Sequence, residues 1–153
     1  MVQYVFEKEL SPQTIEALYA MAQDFTKDYF VATYPDEVRV ELQFHRAFYM
    51  TVDGEIASAI VYTCLEGGIF ITLMMTARRY KGSGCGSQLM SEFVKHVSEY
   101  GLNSIELYTV SPETSRIYAA TVAFYEKNGF EVVRAVRGLW GLTAVTIVMR
   151  REW

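Results

Sequence analysis

Behind Ser11-Pro12, apolar residues return at helical spacing. Ile15, Leu18, Tyr19 and Met21 or Ala22 fall on one face. Serine is a good N-cap, and proline suits the first helical position because its missing N–H would be unsatisfied there anyway. An N-terminal strand precedes this helical region. The period then drops to two. Residues 47–52 and 55–63 read as strands on either side of Asp53-Gly54, a pair that accepts the positive φ of a tight hairpin. Gly67-Gly68 makes a second turn into IFITLMM, residues 69–75, a run apolar on both faces as in a central strand covered on both sides.

Four-residue spacing then resumes. Cys85, Leu89, Phe93 and Val97, with Met90 and Val94 beside them, predict a helix that Gly101 stops. SIELYTV, residues 104–110, predicts a strand. Ser111-Pro112-Glu113 repeats the cap-and-proline start with an acid in the first turn, predicting a long helix from there to Asn128-Gly129. FEVVRAV and LTAVTIVM close the chain as two strands joined through Gly138 and Gly141. The order is strand, helix region, three-strand meander, helix, strand, helix, two strands. It predicts a mixed sheet with helices on both faces, α/β or α+β by label.

Composition adds limits to this picture. At 153 residues and 51% hydrophobic, the chain is expected to be one domain whose core needs neither disulfides nor metal. Cys64 and Cys85 are too few for a disulfide framework and have no metal-ligand spacing around them. The N-terminal stretch has no apolar signal core, and runs such as GLWGLTAVTIVM fall short of the ~20 residues a spanning helix needs. These features predict a soluble cytoplasmic protein with no membrane partner. A net charge of −4 argues against nucleic-acid binding, which calls for a basic footprint. The charge is unevenly spread: residues 1–60 carry six net negatives, and the slightly positive remainder includes Arg78, Arg79 and Lys81 beside a glycine run.

That run, YKGSGCGSQL, puts Gly82, Gly84 and Gly86 within five positions between a strand and a helix start. Outward-facing backbone N–H groups and the helix dipole make such a junction an anion site. A P-loop would need Gly-Lys-Ser/Thr at the helix start, which is absent. A dinucleotide fingerprint has a different glycine spacing and opens a Rossmann unit, whereas a meander precedes this loop. A tight turn without ligand is the remaining plain alternative.

KGSGCG, residues 81–86, resembles the Arg/Gln-x-x-Gly-x-Gly/Ala loop of the GCN5-related N-acetyltransferases, the GNAT family. FYEKNGF, residues 124–130, resembles that family's Tyr-Glu-Lys-x-Gly-Phe motif at the end of the fourth helix. Both occur in the family's order, and the inferred elements extend the likeness over essentially the whole chain. The resemblance implies the GNAT fold, a mixed and mostly antiparallel central sheet of about seven strands with about four helices on both faces. It implies acetyl-coenzyme A as cosubstrate, with no metal. The pyrophosphate would lie on the amides of Ser83, Gly84, Cys85, Gly86 and Ser87, flanked by Lys81 and Gly82. Leu73, Met74, Met75 and Thr76 would pair with the pantetheine arm where strand five splays away. Three departures stand out: Lys81 replaces arginine or glutamine, Arg78 stands where proline is frequent, and the segment 107–125 is longer than in many members. Tyr118 falls at a position where the family often has asparagine, and no role passes to it.

Acyl transfer to an amine needs a neutral amine, an oxyanion donor and a proton for the leaving thiolate. The resemblance implies a backbone N–H near Met74 or Met75 for the oxyanion and Tyr125 as general acid. A phenol of pKa about 10 keeps its proton at neutral pH; a core tyrosine on an apolar helix face beside Phe124 is the alternative. Glu106 is the candidate base, direct or through water, because strand alternation turns it away from Ile105 and Leu107; an ordinary solvent-facing glutamate is the alternative. His45, His96 and Cys85 read as structural, and Arg78, Arg79 and Lys81 as phosphate-attracting. Trp140 fits a hairpin cap, an acceptor wall or a homodimer interface equally. The expected activity is acetyl transfer from acetyl-CoA to a primary amine: a small cationic amine, an amino acid, or a peptide or protein amine. The alternative is a non-catalytic acyl-CoA sensor on the same fold. Within residues 24–41, Asp24, Asp28, Asp36 and Glu37 interleave with Phe25, Tyr29, Phe30 and Tyr34; the resemblance implies that this segment is part of the acceptor wall, here suited to a cationic amine, and an ordinary amphipathic helix with surface acids beside core aromatics is the alternative.

Overall fold

In the computed structural model, which describes residues 1–25 and 34–153, seven strands and four α-helices follow one another along the chain. They are β1 (Val2–Glu7), α1 (Pro12–Phe25), α2 (Tyr34–Glu41), β2 (Arg46–Val52), β3 (Glu55–Leu65), β4 (Gly68–Thr76), α3 (Cys85–Ser98), β5 (Ser104–Val110), α4 (Ala119–Lys127), β6 (Glu131–Gly138) and β7 (Gly141–Glu152). The sheet order is β1-β2-β3-β4-β5-β7-β6. β4 and β5 run parallel, which their crossover through α3 requires, while β1–β2, β2–β3, β5–β7 and β6–β7 are antiparallel. This is the expected mixed sheet. No helix among the described residues is long and apolar enough to cross a membrane.

Two compact units divide the chain. The first comprises Met1–Thr63 and Leu73–Phe93. Alternation on β2, β3 and β4 turns Ala47, Tyr49, Ala59, Val61, Leu73 and Met75 to one face, where Leu18 and Ala22 of α1, Val38 of α2 and Leu42 pack on them. Each fully buried leucine there stabilises the unit by about 1.5–3 kcal/mol. The other face carries Phe48 and Tyr62, whose rings lie 5.7 and 4.8 Å from that of Phe93 in α3. Helices therefore cover both faces of this unit. The start of α1 is tied down as the Ser11-Pro12 pattern predicts, since the Thr14 amide donates to Ser11 Oγ at 3.1 Å. One further carboxylate joins β1, α1 and β2. Glu7 accepts from the Ser11 amide at 3.0 Å, Thr14 Oγ1 at 2.6 Å and the Tyr49 hydroxyl at 2.8 Å. Burial by itself would raise the Glu7 pKa, but the bonds from Thr14, Ser11 and Tyr49 outweigh it and hold the carboxyl below the ordinary glutamate value.

The second unit comprises Cys64–Thr72 and Val94–Trp153. Its sheet core is Ile105 and Leu107 of β5 with Val145, Ile147, Val148 and Met149 of β7, all buried. β6 is the exposed edge strand, with only Val136 half-buried.

Local turn chemistry shifts some boundaries. The second hairpin turns at Glu66 and Gly67, with φ of 50° and 81°, while Gly68 already belongs to β4. β4 also alternates between buried and half-buried residues, where the apolar run predicted full cover on both faces. Ser111-Pro112 starts only a turn. Ser111 Oγ accepts from the Glu113 amide at 3.2 Å, Thr114 Oγ1 accepts from the Val145 amide at 2.8 Å, and Ser115 is extended at φ −150° and ψ 121°. Tying Thr114 to β7 stops helical propagation, and α4 begins only at Ala119.

Candidate active site

Gly82 and Gly84 of the first unit hold φ of 75° and 86°, a left-handed backbone that a β-branched side chain would strain. A Cβ built on either would meet nothing within 4 Å. The loop face over these glycines is therefore open, with backbone as its floor. α3 starts at Cys85, and its first ladder bond into the loop runs from the Gln88 amide to the Gly84 carbonyl at 3.0 Å. The amides of Cys85 and Gly86 precede that bond, in the first turn of α3, where helix N–H groups have no intrahelical acceptor. With the helix dipole, the start of α3 has the electrostatics that favour an anion. Ser83 departs from the expectation. Its amide donates to the Tyr80 carbonyl at 3.2 Å and its hydroxyl donates to the same oxygen, closing the turn from within. Cys85 is buried, in line with its structural reading.

The cations beside the loop are engaged within the same unit. Arg78 Nε sits 3.2 Å from Asp24 Oδ2, and Arg79 Nη1 sits 2.8 Å from Glu55 Oε2. Lys81 Nζ lies 4.9 Å from the centre of the Phe25 ring. Asp24, Phe25, Arg78 and Lys81 line a shallow surface depression. Sequence reasoning missed these pairings because their partners are far apart in the chain; the excess of acids in residues 1–60 was the one available signal.

At the end of β4, Leu73 and Met75 face the core while Met74 and Thr76 are half-buried. Ser58 Oγ donates to the Met75 carbonyl at 3.0 Å and lies 2.9 Å from Thr76 Oγ1. The β4–β5 register runs from Ile69↔Ile105 to Ile71↔Leu107, and Leu73, Met74, Met75 and Thr76 come after it.

Tyr125 and Glu106 belong to the second unit. The Tyr125 ring is buried, with Phe124 and Phe130 edge-on at 5.3 and 5.5 Å. Burial pushes its phenol well above the ordinary value near 10. The turn after it is fixed: Arg151 Nη1 donates to the Asn128 carbonyl at 2.8 Å, and Gly129 has φ of 88° with the Arg151 side chain 3.3 Å from where a Cβ would stand. That geometry explains why Asn128 is followed by glycine. Glu106 is half-buried on β5 and faces Arg134 Nη2 at 3.6 Å.

Around the expected acceptor wall, Asp36 accepts from the Tyr19 hydroxyl at 3.1 Å and Glu37 is exposed. Asp28, Tyr29 and Phe30 lie outside the described residues, as does the side chain of Tyr34. His45 Nδ1 donates to the Glu41 carbonyl at 2.6 Å, which caps α2. Trp140 sits in the β6–β7 turn, half-exposed, with its ring 6.4 Å from that of Tyr108.

A family model described as Acetyltransferase (GNAT) domain matches residues 43–132. No curated protein matches the sequence. Among solved structures, a protein described as a GNAT-family acetyltransferase from Desulfovibrio desulfuricans superposes with a TM-score of 0.82 at 20% identity, covering 98% of this chain and 99% of that one. The ribosomal-protein-S18-alanine N-acetyltransferase of Escherichia coli gives 0.76 at 16% identity, over 98% and 94%. An aminoglycoside 6′-N-acetyltransferase complexed with coenzyme A gives 0.75 at 14%, over 97% and 96%. These likenesses carry the fold. With more than half of its length matched by the family model, the chain belongs to the GNAT family of acetyltransferases and is an acyltransferase.

Proposed function

We propose that residues 1–153 act as a single acetyltransferase domain that moves the acetyl group of acetyl-CoA to a primary amine by direct attack. The observation that carries this reading is the start of α3, where the Cys85 and Gly86 amides lie behind two left-handed glycines with open space above them. A pyrophosphate fits that donor set by charge and by access. The aminoglycoside enzyme, with its bound coenzyme A, and the S18-alanine enzyme support an amine as acceptor.

Gly82, Gly84, Cys85, Gly86 and Ser87 would hold the pyrophosphate, with Lys81 at its edge. Leu73, Met74, Met75 and Thr76 would offer the strand edge to the pantetheine arm. Acetyl-CoA supplies a thioester carbonyl and a thiol leaving group. Met74 or Met75 would give the backbone N–H for the oxyanion, an interaction worth about 3 kcal/mol in comparable sites. Tyr125 holds a proton that its buried phenol does not lose in the neutral range, and it would be the donor to the leaving sulfur. Glu106 would take the proton released by the amine, directly or through water. We extend the proposal to a cationic acceptor, attracted by Asp24, Asp36 and Glu37. The test is release of free thiol from acetyl-CoA across a panel of amines, polyamines, amino acids and peptides. Amine-dependent release is expected; tight CoA binding without turnover on any amine would overturn the reading in favour of a sensor.

A further inference from the structure

Phe70 of β4, Tyr108 of β5 and Trp140 of the β6–β7 turn make a run of edge-on ring contacts. The centroids of Phe70 and Tyr108 lie 4.9 Å apart with 78° between the planes, and those of Tyr108 and Trp140 lie 6.4 Å apart with 68°. Phe70 and Tyr108 are half-buried, and Trp140 is 51% exposed. Each edge-on contact uses one face of only one of its two rings, and ring faces carry negative charge density.

Glu106 shares this face. Alternation puts it on the same side of β5 as Tyr108, and Phe70 is its direct partner across the parallel pair. The register of that pair ends at Ile71↔Leu107, one residue before Tyr108. The Glu106 side chain is 31% exposed, and Arg134 stands 3.6 Å away. A charge-assisted hydrogen bond is about 2.7–2.9 Å long, so this loose pair leaves the carboxylate capacity to accept from a closer donor.

We infer that Phe70, Tyr108, Trp140 and Glu106 form an acceptor subsite for an organic primary ammonium with a hydrocarbon body. The body lies on the ring faces and the ammonium meets Glu106. Both parts of the site select for positive charge, because ring faces attract cations and the carboxylate repels an anion of the same shape. That the bound amine is then acetylated rests on the acetyltransferase reading above; the binding itself does not.

Trp140 and Trp153 are the two tryptophans of the chain, so Trp153→Phe leaves Trp140 as the single fluorescent reporter. Titrating that protein with 2-phenylethylamine is expected to change the Trp140 emission saturably. Affinity for 3-phenylpropionate should be about tenfold weaker or worse, and Glu106→Gln should remove most of that preference. No saturable change with phenylethylamine, or equal affinity for phenylpropionate, overturns the subsite. In acetyl transfer, Trp140→Ala is expected to raise the phenylethylamine KM about fivefold and leave the acetyl-CoA KM unchanged. An unchanged amine KM overturns the subsite while the acetyltransferase reading stands. Saturable, charge-selective binding without acetylation of any amine supports the subsite and overturns the transfer reading instead.

Discussion

The two units offer different parts of the chain for chemistry. In the first, the candidate anion site at residues 82–86 is backbone, and the cations just before it in the chain are engaged with neighbours: Arg78 with Asp24, Arg79 with Glu55, Lys81 with Phe25. In the second, the candidate groups are side chains, a phenol enclosed by Phe124 and Phe130 and a carboxylate facing Arg134. A backbone site depends on φ and on the absence of a Cβ, so glycine spacing announces it. A side-chain site depends on what other strands bring alongside. Substitutions should therefore separate binding from turnover according to the unit they fall in.

The largest expected effect is Tyr125→Phe. It should lower kcat by about 10²–10⁴-fold, the usual range for a general acid, with acetyl-CoA affinity within a factor of two. A full-rate variant whose chemical step limits turnover would remove the phenol from the proposal. Because burial raises this pKa, the rate should also show no alkaline loss from Tyr125 near its ordinary value of about 10.

Gly84→Val tests the opposite half. Forcing a β-branched residue to φ of 86° costs on the order of 1–3 kcal/mol of backbone strain, and the new side chain would stand over the candidate anion site. Calorimetry should show CoA binding weakened by about tenfold or more in a protein that still folds. Unchanged affinity in the folded variant would break the comparison.

Glu7→Gln probes the first unit away from the candidate anion site. It should destabilise the protein by about 1–2 kcal/mol at pH 7, since the carboxylate accepts three hydrogen bonds there. The native pKa is depressed, so this stabilisation is complete above the unfolded value and is lost as pH falls through the native one. Denaturation midpoints of parent and variant should converge on acidification below about pH 4. A gap that stays constant down to pH 2 would mean the carboxylate charge is not what the three donors recognise.

The smallest effect is expected at Lys81, an edge cation already lying over Phe25. Lys81→Ala should weaken CoA binding by about two- to fivefold at low salt, with the difference fading at high ionic strength. A salt-independent loss would instead assign Lys81 a packing role.

Much of the framework is legible in the sequence. Helix α1 begins at Ser11-Pro12 because cap and proline act within one turn, and Asp53-Gly54 turns the first hairpin because its φ demands are local. The glycines at 82 and 84 were legible for the same reason. Reading failed where a distant partner overrode the local signal. Ser111-Pro112-Glu113 has the signature of a helix start, yet β7 captures Thr114 from 31 residues away and delays α4 to Ala119. Ser83 was expected to offer its amide to a ligand, but the turn uses it to close on Tyr80.

The sequence by itself determined the element order, the first hairpin turn and the glycine junction, all of which follow from interactions within a few residues and from the period of burial; the Tyr125 motif was legible only as a resemblance to the GNAT family. Only the tertiary structure decided that Arg78 and Arg79 are paired, that Glu106 faces Arg134, and that Phe70, Tyr108 and Trp140 lie together. Those contacts join residues 24 and 78, 55 and 79, 106 and 134, and 70, 108 and 140. Spacing along the chain carries no record of them, because it is strand register and crossover that bring such distant side chains within a few ångströms of one another.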